Sequence, residues 1–393
     1  MKTLLTYSTG QWDAYVLSTS KGLPSAIVKI NGEDTTTYIE RLSLTMSSFQ
    51  DADAIYNQMF YSPPSNLENT ADLFNIGAWK FGFPNSTTTL QFANGTTQAI
   101  NNYAAARIDF STIVDGPSLF QAMEVAPATD IDVTQIVSKK RDLSEENPIM
   151  RRQSSSSLME GYPTPWIVHP EGLYTAGFFL SSTVAVLTMT AFAGNDTTST
   201  TDQAKMQTVI AKFLKECKAR GSKYLIVDLS ANGGGSVYSG YDAFKQLFPS
   251  IVPFGGSRMR TNPFVDYMGS VFSAAGVYNR TIRPPWQIQS ALDINLKKYP
   301  SWASMGGPVR IYGDNFLNTT RSNLSDPIMT SGFSVYGYGD LPTIPTQAFD
   351  ANNIVILYDG GCGSTCAIFS EFMKTQAGVR SSELSTILSL YFC

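Results

Sequence analysis

Asp228-Leu-Ser-Ala-Asn-Gly-Gly-Gly235 and Tyr358-Asp-Gly-Gly-Cys-Gly-Ser-Thr-Cys366 decide the fold. Each follows a continuous apolar run, Tyr224-Leu-Ile-Val-Asp-Leu229 in the first case and Asn353–Tyr358 in the second. Each precedes a helical pattern, over about Val237–Phe248 and Thr365–Thr375, the latter with Ile368, Phe369, Phe372 and Met373 on its inner side. Apolar runs this short, bounded by glycine, read as strands covered on both faces. Strand, glycine loop and helix in succession make the corner of a parallel α/β sheet, and ligands bind at such corners, beyond the carboxyl ends of the strands.

The same alternation extends upstream. Val184–Met189 reads as a strand, and the weakly charged stretch Thr175–Gly194 as two buried strands around Ser181-Ser182 rather than a membrane span. Asp202 is placed to cap a helix whose apolar residues Met206, Val209, Ile210, Phe213, Leu214 and Cys217 recur at helical spacing and which ends at Gly221. Residues 250–345 are rich in Gly, Pro and Asn with weak periodicity and read as a long insertion over a substrate cleft. Residues 131–165, with Lys139-Lys140-Arg141, Arg151-Arg152 and Ser154–Ser157, read as a flexible linker that ends an N-terminal domain over 1–130. In that domain Ser25–Ile30 is strand-like, Asn31-Gly32 is a turn, and Asp34 caps a helix to about Leu44. A helical piece follows near Asp51–Phe60, and Thr87–Phe92 with Thr96–Ile100 form a hairpin about Asn94-Gly95.

Composition narrows the function. The chain has 393 residues, 43% of them hydrophobic, 15% charged, with a net charge of −4. That charge argues against a nucleic-acid partner, because phosphate binding needs a cationic excess. Sequons occur at Asn85, Asn94, Asn195, Asn279, Asn318 and Asn323, which together point to a glycosylated, secreted protein, although no signal peptide follows Met1. Cysteines stand at 217, 362, 366 and 393 and the one histidine at 169, so no metal-ligand set and no cofactor are expected.

The chemistry is concentrated in the two corners. Three successive glycines can turn backbone N–H groups outward, and donors held that way stabilise an oxyanion. A phosphate cradle would need the Gly-Lys-Ser/Thr element, which neither loop contains. Ser364 stands at a helix N-terminus directly after a glycine turn, where the helix favours negative charge developing at its hydroxyl. Taken by itself, its position suits a helix cap better than a nucleophile.

Asp228–Gly235, Gly361-Cys-Gly-Ser-Thr-Cys366 and Ile368-Phe-Ser-Glu371 together resemble the fungal branch of the tail-specific (S41) serine peptidases, a branch similar to the chlamydial protease-like activity factor. Ser25–Leu42, with Ile30-Asn-Gly-Glu-Asp34, resembles the PDZ-like domain that precedes their catalytic core. The resemblance implies a crotonase- or ClpP-like core of stacked β/β/α units over 166–393. It implies Ser364 as nucleophile, with the backbone N–H groups of Thr365 and of Gly234 or Gly235 as oxyanion hole, acting on a polypeptide substrate. It also implies a base histidine upstream of the PDZ-like domain and a glutamate downstream of the serine, so the chain is expected to be truncated at both ends; the alternative is an inactive peptide-binding relative. His169 is expected to be a partly exposed loop residue, and Lys374 lies too far along the Ser364 helix to act on it. Cys362 and Cys366 flank the serine as in that branch, which suits either a disulfide or two buried small side chains.

Overall fold

The structure, a computed structural model, describes residues 2–8, 11–17, 25–46, 49–57, 59, 64, 85–102, 111, 113–124, 162–170, 172–192, 200–276, 278 and 286–383. The chain divides into a smaller unit, residues 3–46 and 78–154, and a larger one built on 47–77 and 155–393. Of the proposed linker, 131–165, residues 131–161 lie outside the described residues.

At the N-terminus β1 (Lys2–Ser8) and β2 (Gln11–Leu17) form a two-stranded sheet. The smaller unit continues with β3 (Ile27–Ile30), β4 (Glu33–Asp34) and α1 (Thr35–Met46). Asn31 has φ 51° and Gly32 φ 85°, the left-handed pair that a tight turn requires. Asp34 Oδ1 accepts the N–H groups of Thr36 and Thr37 at 3.0 and 3.1 Å, capping α1. Helix α2 (Ala52–Asn57) belongs to the larger unit, where Asn57 Nδ2 donates to Asp359 O at 3.4 Å. Strands β5 (Thr87–Phe92) and β6 (Thr97–Asn101) are a hairpin, and the sheet order is β4-β3-β5-β6, antiparallel throughout. Helix α3 (Gly116–Met123) opens with a capping box between Asp115 and Ser118.

The larger unit carries a six-stranded sheet. Its order is β14-β13-β10-β9-β8-β7, for β7 (Ile167–His169), β8 (Gly172–Phe179), β9 (Val184–Met189), β10 (Tyr224–Asp228), β13 (Ile354–Tyr358) and β14 (Arg380–Glu383). Strands β9, β10, β13 and β14 are parallel, and each parallel step needs a crossover. These are supplied by α4 (Thr200–Arg220), by α5 (Val237–Leu247) with the insertion, and by α8 (Thr365–Glu371) with the π-turn Phe372–Gln376. Helix α4 begins two residues before Asp202, which is therefore a first-turn residue paired with Lys205 at 3.1 Å rather than the cap. The α4 stripe from Met206 to Cys217 packs with Leu225, Val227, Phe244, Phe369 and Phe372 in one continuous core. Complete burial of a phenylalanine such as Phe213 contributes about 1.5–3 kcal/mol.

The insertion is more regular than its sequence suggests. It contains α6 (Pro263–Ala275), α7 (Trp302–Gly306) and the hairpin β11 (Val309–Ile311) and β12 (Asp314–Phe316). Val265, Tyr299, Trp302, Met305 and Leu317 form its own small core. Among the described residues no helix is long and apolar enough to cross a membrane.

Candidate active site

Strands β10 and β13 are in parallel register, Asp228 opposite Leu357, so the two glycine loops leave the sheet side by side. Two carboxylates hold them there. Asp228, 4% exposed, accepts Ser230 N–H at 3.0 Å on Oδ1, and on Oδ2 the hydroxyls of Tyr162 at 2.7 Å and Thr188 at 3.2 Å. Burial, and secondarily the Asp228 charge, push the Tyr162 phenol well above its ordinary value, so it serves Asp228 as a donor. Asp359 straps the loops together: its Oδ2 accepts Ala231 N–H from the first at 2.8 Å and its Oδ1 accepts Gly361 N–H from its own at 3.0 Å. Burial raises the Asp359 carboxyl above the usual range, and these two N–H groups pull against it.

Asn232, fully buried, is a residue that motif reading passes over although it lies inside the quoted stretch. Its Nδ2 donates to Met189 O at 2.7 Å, its Oδ1 accepts Gly234 N–H at 2.8 Å, and its carbonyl accepts Gly363 N–H at 3.1 Å. One residue thus joins the end of β9, the first loop and the second. The glycines beyond it have φ of +115° at Gly234 and +134° at Gly235. Gly234 O accepts Phe192 N–H at 2.8 Å, and Phe192 O accepts Ser236 N–H at 2.7 Å. A Cβ on Gly234 would stand 2.6 Å from Ser364 Cβ, and one on Gly235 would stand 2.3 Å from Phe192 O. The chain needs glycine at both.

Ser364 is exposed and has φ 49° and ψ −120°, a conformation uncommon for a residue with a side chain. Its hydroxyl makes no capping bond to α8, so the simple cap reading fails here. The neighbouring Thr365 side chain is the one engaged, donating to Gly235 O at 2.7 Å across the two loops. Of the backbone donors considered for an oxyanion, Gly234 N–H is committed to Asn232, whereas among the described residues the N–H groups of Gly235 and Thr365 meet no acceptor. Cys362 and Cys366 are joined in a disulfide that spans Ser364, and Cys217 is a buried free thiol.

His169 differs from expectation. It is 1% exposed, ends β7, has Nε2 3.3 Å from Asp202 O and meets Tyr174 edge-on. A carbonyl partner requires the proton on Nε2, which ties this ring to the first turn of α4. Glu371 and Lys374 are exposed on the helix after Ser364, and no described side chain hydrogen-bonds to the Ser364 hydroxyl. Of the sequons, Asn85 and Asn94 are exposed, Asn318 and Asn323 half-buried, and Asn195 and Asn279 outside the described residues. No group of three or more His, Cys, Asp or Glu is arranged for a metal among the described residues.

Comparison with known proteins adds to this geometry. Residues 8–111 match the CPAF-like PDZ domain and residues 183–380 match peptidase family S41. The chain is 30% identical over 375 residues to the Peptidase S41 family protein phomP1' of Diaporthe leptostromiformis, covering 91% of this chain and 54% of that protein. It is 29% identical over 352 residues to the Peptidase S41 family protein ustP of Aspergillus flavus, covering 83% and 68%. The crystal structure of mature CPAF is similar with a TM-score of 0.45 at 14% identity, over 98% of this chain and 67% of that one. The chain spans about half the length of the first of these curated relatives. The match over 183–380 takes in both glycine corners and Ser364, and the chain belongs to peptidase family S41.

Proposed function

We propose that the larger unit is the catalytic part of a serine endopeptidase of the tail-specific type, with Ser364 as nucleophile. The observation that carries this reading is the exposed Ser364 in a strained backbone conformation, its Cβ held against the Cα of Gly234. In this mechanism Ser364 Oγ attacks the scissile carbonyl, and the new oxyanion takes the N–H groups of Gly235 and Thr365. Gly234 acts by its smallness, with its own N–H spent on Asn232. The C–N bond then breaks, the leaving amine takes a proton, and water releases the acyl group from Ser364. The base implied by the family resemblance is a histidine upstream of the PDZ-like domain, oriented by a glutamate downstream of the serine. The PDZ-like unit binds peptide segments of substrate or partner.

A second reading, an inactive peptide-binding relative, is favoured by the lack of any described side chain bonded to the Ser364 hydroxyl. A fluorophosphonate probe separates the two. We expect Ser364 to be labelled in a chain extended at both ends and Ser364→Ala to abolish labelling; an extended, folded chain that resists the probe overturns the peptidase reading.

We also read the protein as secreted and glycosylated. The Cys362–Cys366 disulfide suits an oxidising compartment. Asn94 sits on the exposed β5–β6 turn with Oδ1 accepting Thr96 N–H and O–H, which leaves its amide nitrogen outward for a glycan.

A further inference from the structure

The larger unit contains a cavity of about 180 Å³ that the chemistry above does not use. Leu292, Leu296 and Leu324 form apolar walls, and Tyr241, Tyr338 and Arg321 supply its polar side. Arg321 is the informative residue. It is 9% exposed, with Nη1 donating to Ile294 O at 3.1 Å, Nη2 donating to Pro253 O at 2.7 Å and the Phe254 ring centred 4.9 Å from its guanidinium carbon. Among the described residues no carboxylate pairs with it; the ion pairs found there all involve other cations.

Carbonyl dipoles and a ring face orient a guanidinium without cancelling its charge, and buried charges are ordinarily paired. Part of the donor fork is still unspent, in a planar arrangement that matches a carboxylate. The phenols of Tyr241 and Tyr338 lie within the electrostatic reach of Arg321, which works against the upward push that burial gives them. Both hydroxyls can therefore donate to the anion that Arg321 attracts. An apolar cavity of about 150 Å³ holds a benzene molecule, so this one has room for a carboxylate on one aliphatic side chain.

We infer that the cavity is a carboxylate subsite, accepting an aliphatic group that carries its acid against Arg321, such as the last residue of a peptide or the side chain of an internal glutamate. Tyr241 stands on α5, which leaves the glycine loop, and its ring centroid is 4.9 Å from that of Phe372 on the helix behind Ser364. The subsite and the nucleophile therefore share the two helices that fix the catalytic corner. Assigning the carboxylate to a substrate rests on the peptidase reading; its binding does not.

The experiment uses the full chain as Ser364→Ala, so that binding is measured without turnover. N-acetyl-leucine is titrated by calorimetry against N-acetyl-leucinamide, which keeps the shape and removes the charge. Saturable binding of the acid is expected, with the amide at least tenfold weaker. Arg321 also braces the carbonyls of Ile294 and Pro253, so Ser322→Phe is the deciding variant: it fills the cavity from a residue with no side-chain bond among the described residues. A tenfold or greater loss is expected there, with an unchanged melting curve. Equal binding of acid and amide, undiminished binding in Ser322→Phe, or no saturable binding of the acid overturns the proposal. A peptide ending in free leucine, compared with an amidated peptide containing glutamate, then tells which source of carboxylate the subsite takes. Probe labelling of Ser364 in the unsubstituted chain reports on the peptidase reading separately.

Discussion

Replacing Gly234 by alanine tests whether the two glycine loops form one unit. Two costs follow from the geometry. The residue has φ +115°, so any side chain imposes backbone strain of roughly 1–3 kcal/mol. The new Cβ would also stand 2.6 Å from Ser364 Cβ, 3.0 Å from Gly363 O and 3.1 Å from Thr365 N. Two of those three atoms are backbone, so no side-chain rotation relieves the clash, and forced overpacking costs about 1–3 kcal/mol more. The sum, about 2–6 kcal/mol, is a large part of the stability of an ordinary domain. Gly233 is the internal control. A Cβ there meets nothing within 4 Å, its φ is not positive, and Gly233→Ala should stay within about 0.5 kcal/mol of the parent. Urea unfolding gives the stabilities, and hydrogen exchange read on peptides covering 229–236 and 359–366 localises the change. Gly234→Ala should accelerate exchange in both peptides, because the strain is shared across the two loops. If it melts with Gly233→Ala, or loosens only its own loop, the packing of Gly234 on Ser364 is not what shapes the corner.

Two further perturbations address the carboxylates. Asp359→Asn leaves one oxygen able to accept, so either Ala231 or Gly361 loses its partner at a cost of about 1–3 kcal/mol; unchanged stability in urea would show that the strap does not hold the loops. Asp242 is fully buried, accepting Gln207 Nε2 at 2.7 Å, Tyr336 N–H at 3.0 Å and Gln246 Nε2 at 2.7 Å, and burial raises its carboxyl from 3.8 to about 6. Between pH 4 and 6 the folded state holds this proton while the unfolded chain has released it, so stability falls as pH rises through that window, by roughly 3 kcal/mol for about two pH units. The Asp242→Asn variant should lose that slope in urea midpoints taken at pH 4, 5 and 6, and an identical slope in both proteins would refute the assignment.

What could be read from the sequence, and what could not, follows the range of the interactions involved. Strands β9, β10 and β13 stand out because parallel strands covered on both faces are apolar along their whole length, a pattern confined to a few adjacent residues. Helix α4 shows itself because one face alone meets the core. Helix α6 is harder to see, since Phe264, Tyr267 and Val271 lie on its exposed side and blur the period. Its ends were nonetheless marked by Asn262, Pro263 and Gly276, a cap, a first-turn proline and a left-handed stop at φ 62°.

At the site the division is sharper. Local chemistry makes Ser364 a helix cap, but in the fold it packs on a glycine some 130 residues earlier in the chain, and among the described residues no side chain bonds its exposed hydroxyl. The choice between Gly234 and Gly235 as donor depends on which N–H the Asn232 amide takes, and that amide is aimed by Met189 at the end of a third strand. His169 is drawn into the interior by the same kind of distant partner, the first turn of α4. A motif records which residues a corner must have. It does not record which of their hydrogen bonds are already spent, and at an acyl-transfer site the unspent donors are the ones that act on the substrate.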